Sequence, residues 1–383
     1  MNRRNLAIDI FRGLTMALMV FVNDLWTVHD VPHWLVHFST YEDGMGLSDI
    51  VYPMFLFAMG MSVPYALENR LARGASAWDC FRHVLERTLA LLLMGVFIVN
   101  ADEGIAWNKG VYWLLMVSGF FLVWNHYPKD SKAARWLRPA GALLLLGLAV
   151  AFRSPSGGLF HASWWGILGL IGWMYLFAAT AYLLFRERPW VLALLWAGFC
   201  LVNLSVVPLR DGSVLTRGNF PADFSAALQL GNGHSIIMAL GGLLTTLASL
   251  RIRKAGTGIG LAAAAVFFVL GLTVHQGWIV SKNLGTLPWC LYVTALSVAL
   301  YTLLRALEKK GWTRWSKPLS PAGTATLTVY MIPYVFYSFW VFLTPNIPLW
   351  LSGYTGIAKS LLFSALCIGI AHLLGRCGIK LKI

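Results

Sequence analysis

Apolar residues are gathered in blocks closed by short polar stretches, and each block is close to the roughly 20 residues that one helix needs to cross a hydrocarbon layer. Twelve such blocks predict helices over 6–26, 48–67, 85–101, 110–126, 139–153, 164–185, 190–208, 232–250, 259–280, 286–305, 323–343 and 354–375. The fourth and fifth are short. The fold class that follows is all-α: a polytopic transmembrane helix bundle of about twelve spans, between ten and twelve, because only helices and closed barrels satisfy their own backbone in lipid. No internal repeat is evident, so the chain reads as a single transmembrane domain over 1–383, which disfavours inverted-repeat transporter folds.

Composition agrees. Hydrophobic residues make up 58% and charged residues 12%, where a soluble domain carries roughly 25% charged. Soluble domains, disorder and collagen-like repeats are thereby excluded. The net charge of +14 would ordinarily raise nucleic acid as a partner. The basic residues instead mark alternate connections: Arg3 and Arg4, Arg70 to Arg87, Lys129 to Arg138, Arg186 and Arg188, Arg251 to Lys254, Arg305 to Lys317, and Arg376 to Lys382. The opposite ends hold only Lys109, Arg153, Arg210, Arg217, Lys282 and Lys359. This alternation places both termini in the cytoplasm. The start of the chain reads as a retained first helix, without a small-residue cleavage site. The five cysteines have neither metal-site nor disulfide-framework spacing.

Ionisable residues inside a span are costly and mark candidate function. Asp9 and Arg12 stand at i and i+3, which suits a structural ion pair or a receiver for an anion arriving from the cytoplasm. Asn23 and Asp24 close the same helix. The outer loop 27–47 then carries His29, His33 and His37, followed by Glu42, Asp43 and Asp49. A histidine oriented by a carboxylate is a suitable general base. Spacing by four would put the three histidines on one helical face, but no H-E-x-x-H is present and no metal is expected. A second long outer loop, 209–231, holds Arg210, Asp211, Arg217 and Asp223. Lys282-Asn283 is read as opening the tenth helix, its lysine either snorkelling or binding a ligand. His161 and Trp165 stand at the outer start of the sixth helix, His234 opens the eighth and His275 lies late in the ninth. The Gly256 to Gly260 run lacks the Gly-Lys-Ser/Thr of a phosphate loop and reads as a connector.

Two stretches, Leu6-Ala7-Ile8-Asp9-Ile10-Phe11-Arg12-Gly13 and Gly46-Leu47-Ser48-Asp49-Ile50-Val51-Tyr52-Pro53-Met54-Phe55-Leu56-Phe57-Ala58-Met59-Gly60, together with Asn23, His37 and Lys282-Asn283-Leu284, resemble the heparan-α-glucosaminide N-acetyltransferase family, and bacterial NagX-like members in particular. The resemblance anchors the first two helices, a catalytic motif region over 6–67, and the start of the tenth. It implies acetyl transfer from acetyl-CoA to the amine of glucosamine or a glucosamine-containing sugar, in the inner membrane of a bacterium and in the service of amino-sugar metabolism. Counting back from Asp49 puts the family's catalytic histidine on His37, and its active-site asparagine falls on Asn23. The loop between the two helices departs from the family's in length and in the residues after His37.

The chemistry suits these residues. His37 takes the proton as the amine attacks the thioester, with Asp49 as its orienting partner. Asn23 is a candidate oxyanion donor. Arg12, Lys282 and Asn283 are candidate contacts to acetyl-CoA, and Arg12 would meet its phosphates. Direct transfer and an acetyl-histidine intermediate are both open, as are monomer and homodimer. The competing reading is an amino-sugar permease without acyl transfer, which twelve helices with buried polar groups suit equally well. Membrane lipid is the expected surrounding partner; nucleic acid is not.

Overall fold

The computed structural model describes residues 5–128, 131–215, 231–251, 256–343 and 347–383. Arg3, Arg4, Lys129, Arg217, Asp223, Arg253 and Lys254, and most of the 209–231 loop, lie outside those residues. Among the described residues there are thirteen α-helices and no strand. They are α1 (Leu6–Asp24), α2 (Leu47–Leu71), α3 (Ala77–Glu103), α4 (Lys109–Trp124), α5 (Lys132–Ala151), α6 (Ile167–Phe185) and α7 (Pro189–Val206). There follow α8 (His234–Arg251), α9 (Thr257–His275), α10 (Leu287–Lys309), the short α11 (Ser320–Thr324), α12 (Thr326–Leu343) and α13 (Gly353–Arg376).

Each apolar block is a helix. Ten are long and apolar enough to cross a membrane, and Lys109–Trp124 and Thr326–Val341 are shorter apolar helices. The chain is therefore an all-helical multi-pass membrane protein. The larger departures from expectation lie at helix starts. α3 begins at Ala77, ahead of its apolar run, because Ser76 and Asp79 cap each other's backbone N–H groups at 3.1 and 2.9 Å. α5 begins at Lys132 and carries Pro139 inside, with the Ser131 hydroxyl accepting from the Ala134 N–H.

The chain divides into two compact units. The first holds residues up to Thr15, Pro32–Thr88 and Trp173–Ser316, and the second holds Met16–Val31, Leu89–Gly172 and Lys317–Ile383. In the first unit α2 packs on α8 and α10, α7 on α8, and α9 on α10. Small residues make the α2–α8 approach possible. A Cβ on Gly60 would lie 1.9 Å from the Ala239 carbonyl oxygen, and one on Gly242 would lie 1.9 Å from that of Phe57. The most apolar span, α9, is also the least buried. A helix apolar on all sides needs no protein cover when lipid is its solvent.

In the second unit α4 packs on α5 and α12, and α12 on α13. Asp24, 1% exposed, is ion-paired to the Lys359 ammonium at 2.5 Å and accepts from the Tyr337 hydroxyl at 3.1 Å. Lys359 also donates to the Thr27 hydroxyl. His161 pairs with Glu103 at 3.0 Å.

Candidate active site

Helix α2 starts with Gly46-Leu47-Ser48-Asp49. The first N–H groups of a helix have no partner within it, and Asp49 supplies one from its third position. Its Oδ2 accepts from the Gly46 N–H at 3.0 Å and from the Phe38 N–H at 3.1 Å. That leaves Oδ1 facing His37 Nδ1, at 2.6 Å. The carboxylate is 2% exposed and the His37 side chain 53%. The segment before the helix is pressed close. The Ser48 hydroxyl donates to the Leu35 carbonyl at 2.6 Å. A Cβ on Gly46 would lie 2.1 Å from the Val36 carbonyl oxygen, so only glycine fits there.

Pro53 explains a further bond. It stands four residues after Asp49 and has no N–H, so the Asp49 carbonyl loses its helical partner. The indole N–H of Trp289 donates to it at 3.1 Å. Trp289 is the third residue of α10 and is 1% exposed. The same proline that breaks the ladder of α2 thus makes the acceptor that pins α10 to the start of α2.

The segment before α10 straps the His37 loop. Lys282 and Asn283 were expected to open the tenth helix; they lie instead in a turn ahead of it. The Gly285 N–H donates to the Lys282 carbonyl at 2.9 Å, and Gly285 has φ +61°, a conformation that glycine adopts without penalty. Asn283 donates its side-chain amide to the Phe38 carbonyl at 3.1 Å, and the Ser281 hydroxyl donates to the Thr40 carbonyl at 2.7 Å. The peptide after His37 is therefore held at its N–H by Asp49 and at the Phe38 carbonyl by Asn283. Behind the turn, Asn203 donates to the Gly285 carbonyl at 2.8 Å, and Asn232 donates to that of Leu284. His234 Nδ1 lies 2.5 Å from Asn232 Oδ1.

Lys282 Nζ lies 3.3 Å from His37 Nδ1. One ring nitrogen cannot donate to Asp49 and also accept from Lys282, and the shorter contact decides. A proton on Nδ1 therefore points to Asp49, and in that neutral tautomer Nε2 has the lone pair. Among the described residues none hydrogen-bonds Nε2. Burial holds the Lys282 amine below its ordinary pKa, against the pull of the Asp49 charge.

A second aspartate–histidine pair stands in the same unit. Asp43 Oδ1 lies 2.8 Å from His275 Nε2 and accepts from the Val280 N–H at 2.8 Å, while Oδ2 lies 2.7 Å from Arg210. Burial opposes the Asp43 charge, and the Val280 N–H, His275 and Arg210 outweigh it, holding the carboxyl below its ordinary pKa. Sequence reasoning missed this pair as well as Trp289. Asp43 and His275 are 232 residues apart, and no local spacing joins them.

The structure thus brings His37, Asp49, Lys282 and Asn283 together. The histidines do not share a helical face: only short 3-10 turns occupy Leu25–Thr27 and His33–Leu35. His29 Nε2 meets the Ile347 carbonyl at 3.1 Å, and His33 pairs with Glu42 at 3.2 Å. Arg12 pairs with Asp9 at 3.3 Å and donates to the Ser62 hydroxyl at 3.5 Å. Ser62 lies thirteen positions after Asp49, about 20 Å along α2 at 1.5 Å per residue. Asn23 belongs to the second unit, exposed in the last turn of α1. Among the described residues no cluster of three or more His, Cys, Asp or Glu side chains is arranged to hold a metal.

Residues 4–111 match the family model described as heparan-alpha-glucosaminide N-acetyltransferase, catalytic. A heparan-alpha-glucosaminide N-acetyltransferase of Mus musculus is 32% identical over 134 residues, which is 32% of this chain and 20% of the relative. Its Homo sapiens counterpart is 30% identical over 106 residues, 27% of this chain and 15% of the relative. The matches thus span a fifth or less of these relatives' length. Over the segment that holds α1 to α3 and both His37 and Asp49, the chain resembles the catalytic region of heparan-α-glucosaminide N-acetyltransferases.

Proposed function

We propose that the chain is a membrane-embedded acetyltransferase, moving acetyl from acetyl-CoA to the amino group of glucosamine or a glucosamine-containing sugar. The observation that carries this reading is His37, oriented through Nδ1 by a buried Asp49 and free at Nε2. Nε2 takes a proton from the amine as its nitrogen attacks the thioester carbonyl. The new C–N bond forms, the C–S bond breaks, and CoA leaves as a thiolate that recovers the proton. The Lys282 ammonium, beside the ring, supplies positive charge where the carbonyl oxygen becomes an oxyanion. Asn283 keeps the His37 loop in place. Arg12, about 20 Å along α2 from Asp49, suits the phosphates of a donor whose pantetheine arm reaches toward His37. The alternation of basic connections supports termini on the cytoplasmic side, where acetyl-CoA is made, and the resemblance supports a bacterial plasma membrane.

The test is a purified sample in lipid nanodiscs given acetyl-CoA and glucosamine. N-acetylglucosamine and free CoA should appear in equal amounts, and His37→Ala should slow both by at least about 10²-fold, the scale of a general base. Sugar uptake into vesicles with no acetylated product would favour the permease instead.

A further inference from the structure

At the other end of the first unit, α7, α8, α9 and α10 line a half-open cavity of about 300 Å³. Its walls include Gly241, Leu244, Ala263, Phe267 and Val298. Three polar side chains along these walls spend their donors within the protein. The Thr245 hydroxyl donates to the Gly241 carbonyl at 2.8 Å, that of Thr302 to Val298 at 2.7 Å, and the Trp196 indole to Ile237 at 3.1 Å. What faces the cavity there is hydrocarbon. α9, which forms one wall, turns Val266, Phe268 and Val269 outward, each at least 50% exposed. The cavity is thus walled by a helix that borders lipid.

One end of the cavity differs. Ser249, Tyr301, Arg305 and Lys309 line it. Arg305 spends one N–H on the Ser249 carbonyl at 3.3 Å; among the described residues the rest of its fork has no partner. Lys309 is exposed. Glu308 is engaged elsewhere, accepting from the Leu6 N–H at 3.2 Å.

From this arrangement we infer a binding site for an anionic phospholipid, with one acyl chain in the apolar cavity and the phosphodiester on Arg305 and Lys309. The charge match selects the occupant. A phosphodiester carries one negative charge, which two cations at a membrane surface attract. Coenzyme A carries three phosphate groups and an adenine, and among the described lining residues there is no Asn, Gln, Asp or Glu to read a base. The site is separate from His37, and its lipid is a resident amphiphile rather than a substrate.

Native mass spectrometry of the purified protein tests this with three probes: phosphatidylglycerol, phosphatidylcholine of the same chains, and acetyl-CoA. One phosphatidylglycerol should be retained in preference to phosphatidylcholine, and the double variant Arg305→Gln, Lys309→Gln should reduce that retention about tenfold or more. Ala263→Phe, which fills the apolar part, should reduce retention of both lipids. Equal retention in the native protein and both variants would overturn the site. Displacement of the lipid by acetyl-CoA, with weaker acetyl-CoA binding in the double variant, would overturn the lipid assignment.

Discussion

Among its described residues the first unit contains two aspartate–histidine pairs, and under the proposed function only one moves a proton. In both, a loop or helix-start carboxylate also serves backbone N–H groups, and the contacts are of similar length: 2.6 Å for Asp49–His37 and 2.8 Å for Asp43–His275. The difference lies on the far side of each ring. His275 meets Asp43 with Nε2 and the Tyr292 hydroxyl with Nδ1, at 3.3 Å, so both nitrogens are engaged. His37 leaves Nε2 open on a half-exposed side chain. Asp43 is shared further with a guanidinium, whereas Asp49 turns Oδ1 to His37. A carboxylate beside an imidazole is thus a positioning device in both places, and under the proposed function the open Nε2 separates a base from a strut.

Breaking the orienting carboxylate separates the two pairs most. Asp49→Asn keeps the shape but offers an amide N–H to Nδ1, which pushes the ring proton to Nε2 and removes the lone pair from the reactive side. Turnover should fall by about 10⁴, the scale seen when a triad aspartate becomes asparagine, with the melting temperature in lipid showing that the fold survives. The same substitution at Asp43 should cost less than tenfold in turnover.

Lys282 should rank next. Lys282→Met removes one charged donor and should lower turnover by about 10²-fold. Its pKa is lowered by burial, so the native activity should decline on the alkaline side at a pH below the ordinary lysine value of about 10.4. Lys282→Arg keeps its charge at that pH and should lose this decline; a pH–rate profile unchanged in both variants would remove Lys282 from the reaction.

The smallest effect belongs to the strut. The folded-state pKa of Asp43 is depressed, so its contribution to stability is present above the ordinary carboxylate pKa, about 4, and is lost as pH falls through the folded value. Its partners are partly exposed, so Asp43→Asn should cost at most about 1 kcal/mol near neutrality. The gap between native and variant unfolding midpoints should close on acidification.

The helices were legible because hydropathy records, residue by residue, which segments meet lipid. The His37–Asp49 relation was legible because it spans 12 residues and carries its own helix start. Three things were not. The 29, 33, 37 spacing suggested a helical face, yet Pro32 and the extended backbone at Val28 and Val36 leave only separate short turns. Lys282 was assigned to a helix start, although Gly285 and Pro288 already marked a turn ahead of α10. Asp43–His275 and Asp49–Trp289 join residues 232 and 240 apart, and only packing brings such partners together.

The bond from Trp289 to the Asp49 carbonyl has a consequence for biogenesis. Because Pro53 removes the local donor, the first turn of α2 stays incompletely satisfied until a residue 240 positions later has been made. At about 5–20 residues per second, the ribosome needs on the order of 10–50 s to travel that far. For that interval His37 and Asp49 are already outside the ribosome, without the indole or the Lys282 turn that hold their loop. The nascent chain therefore carries His37 and Asp49 before the contacts that hold their loop exist, and gains those contacts only when α10 is inserted.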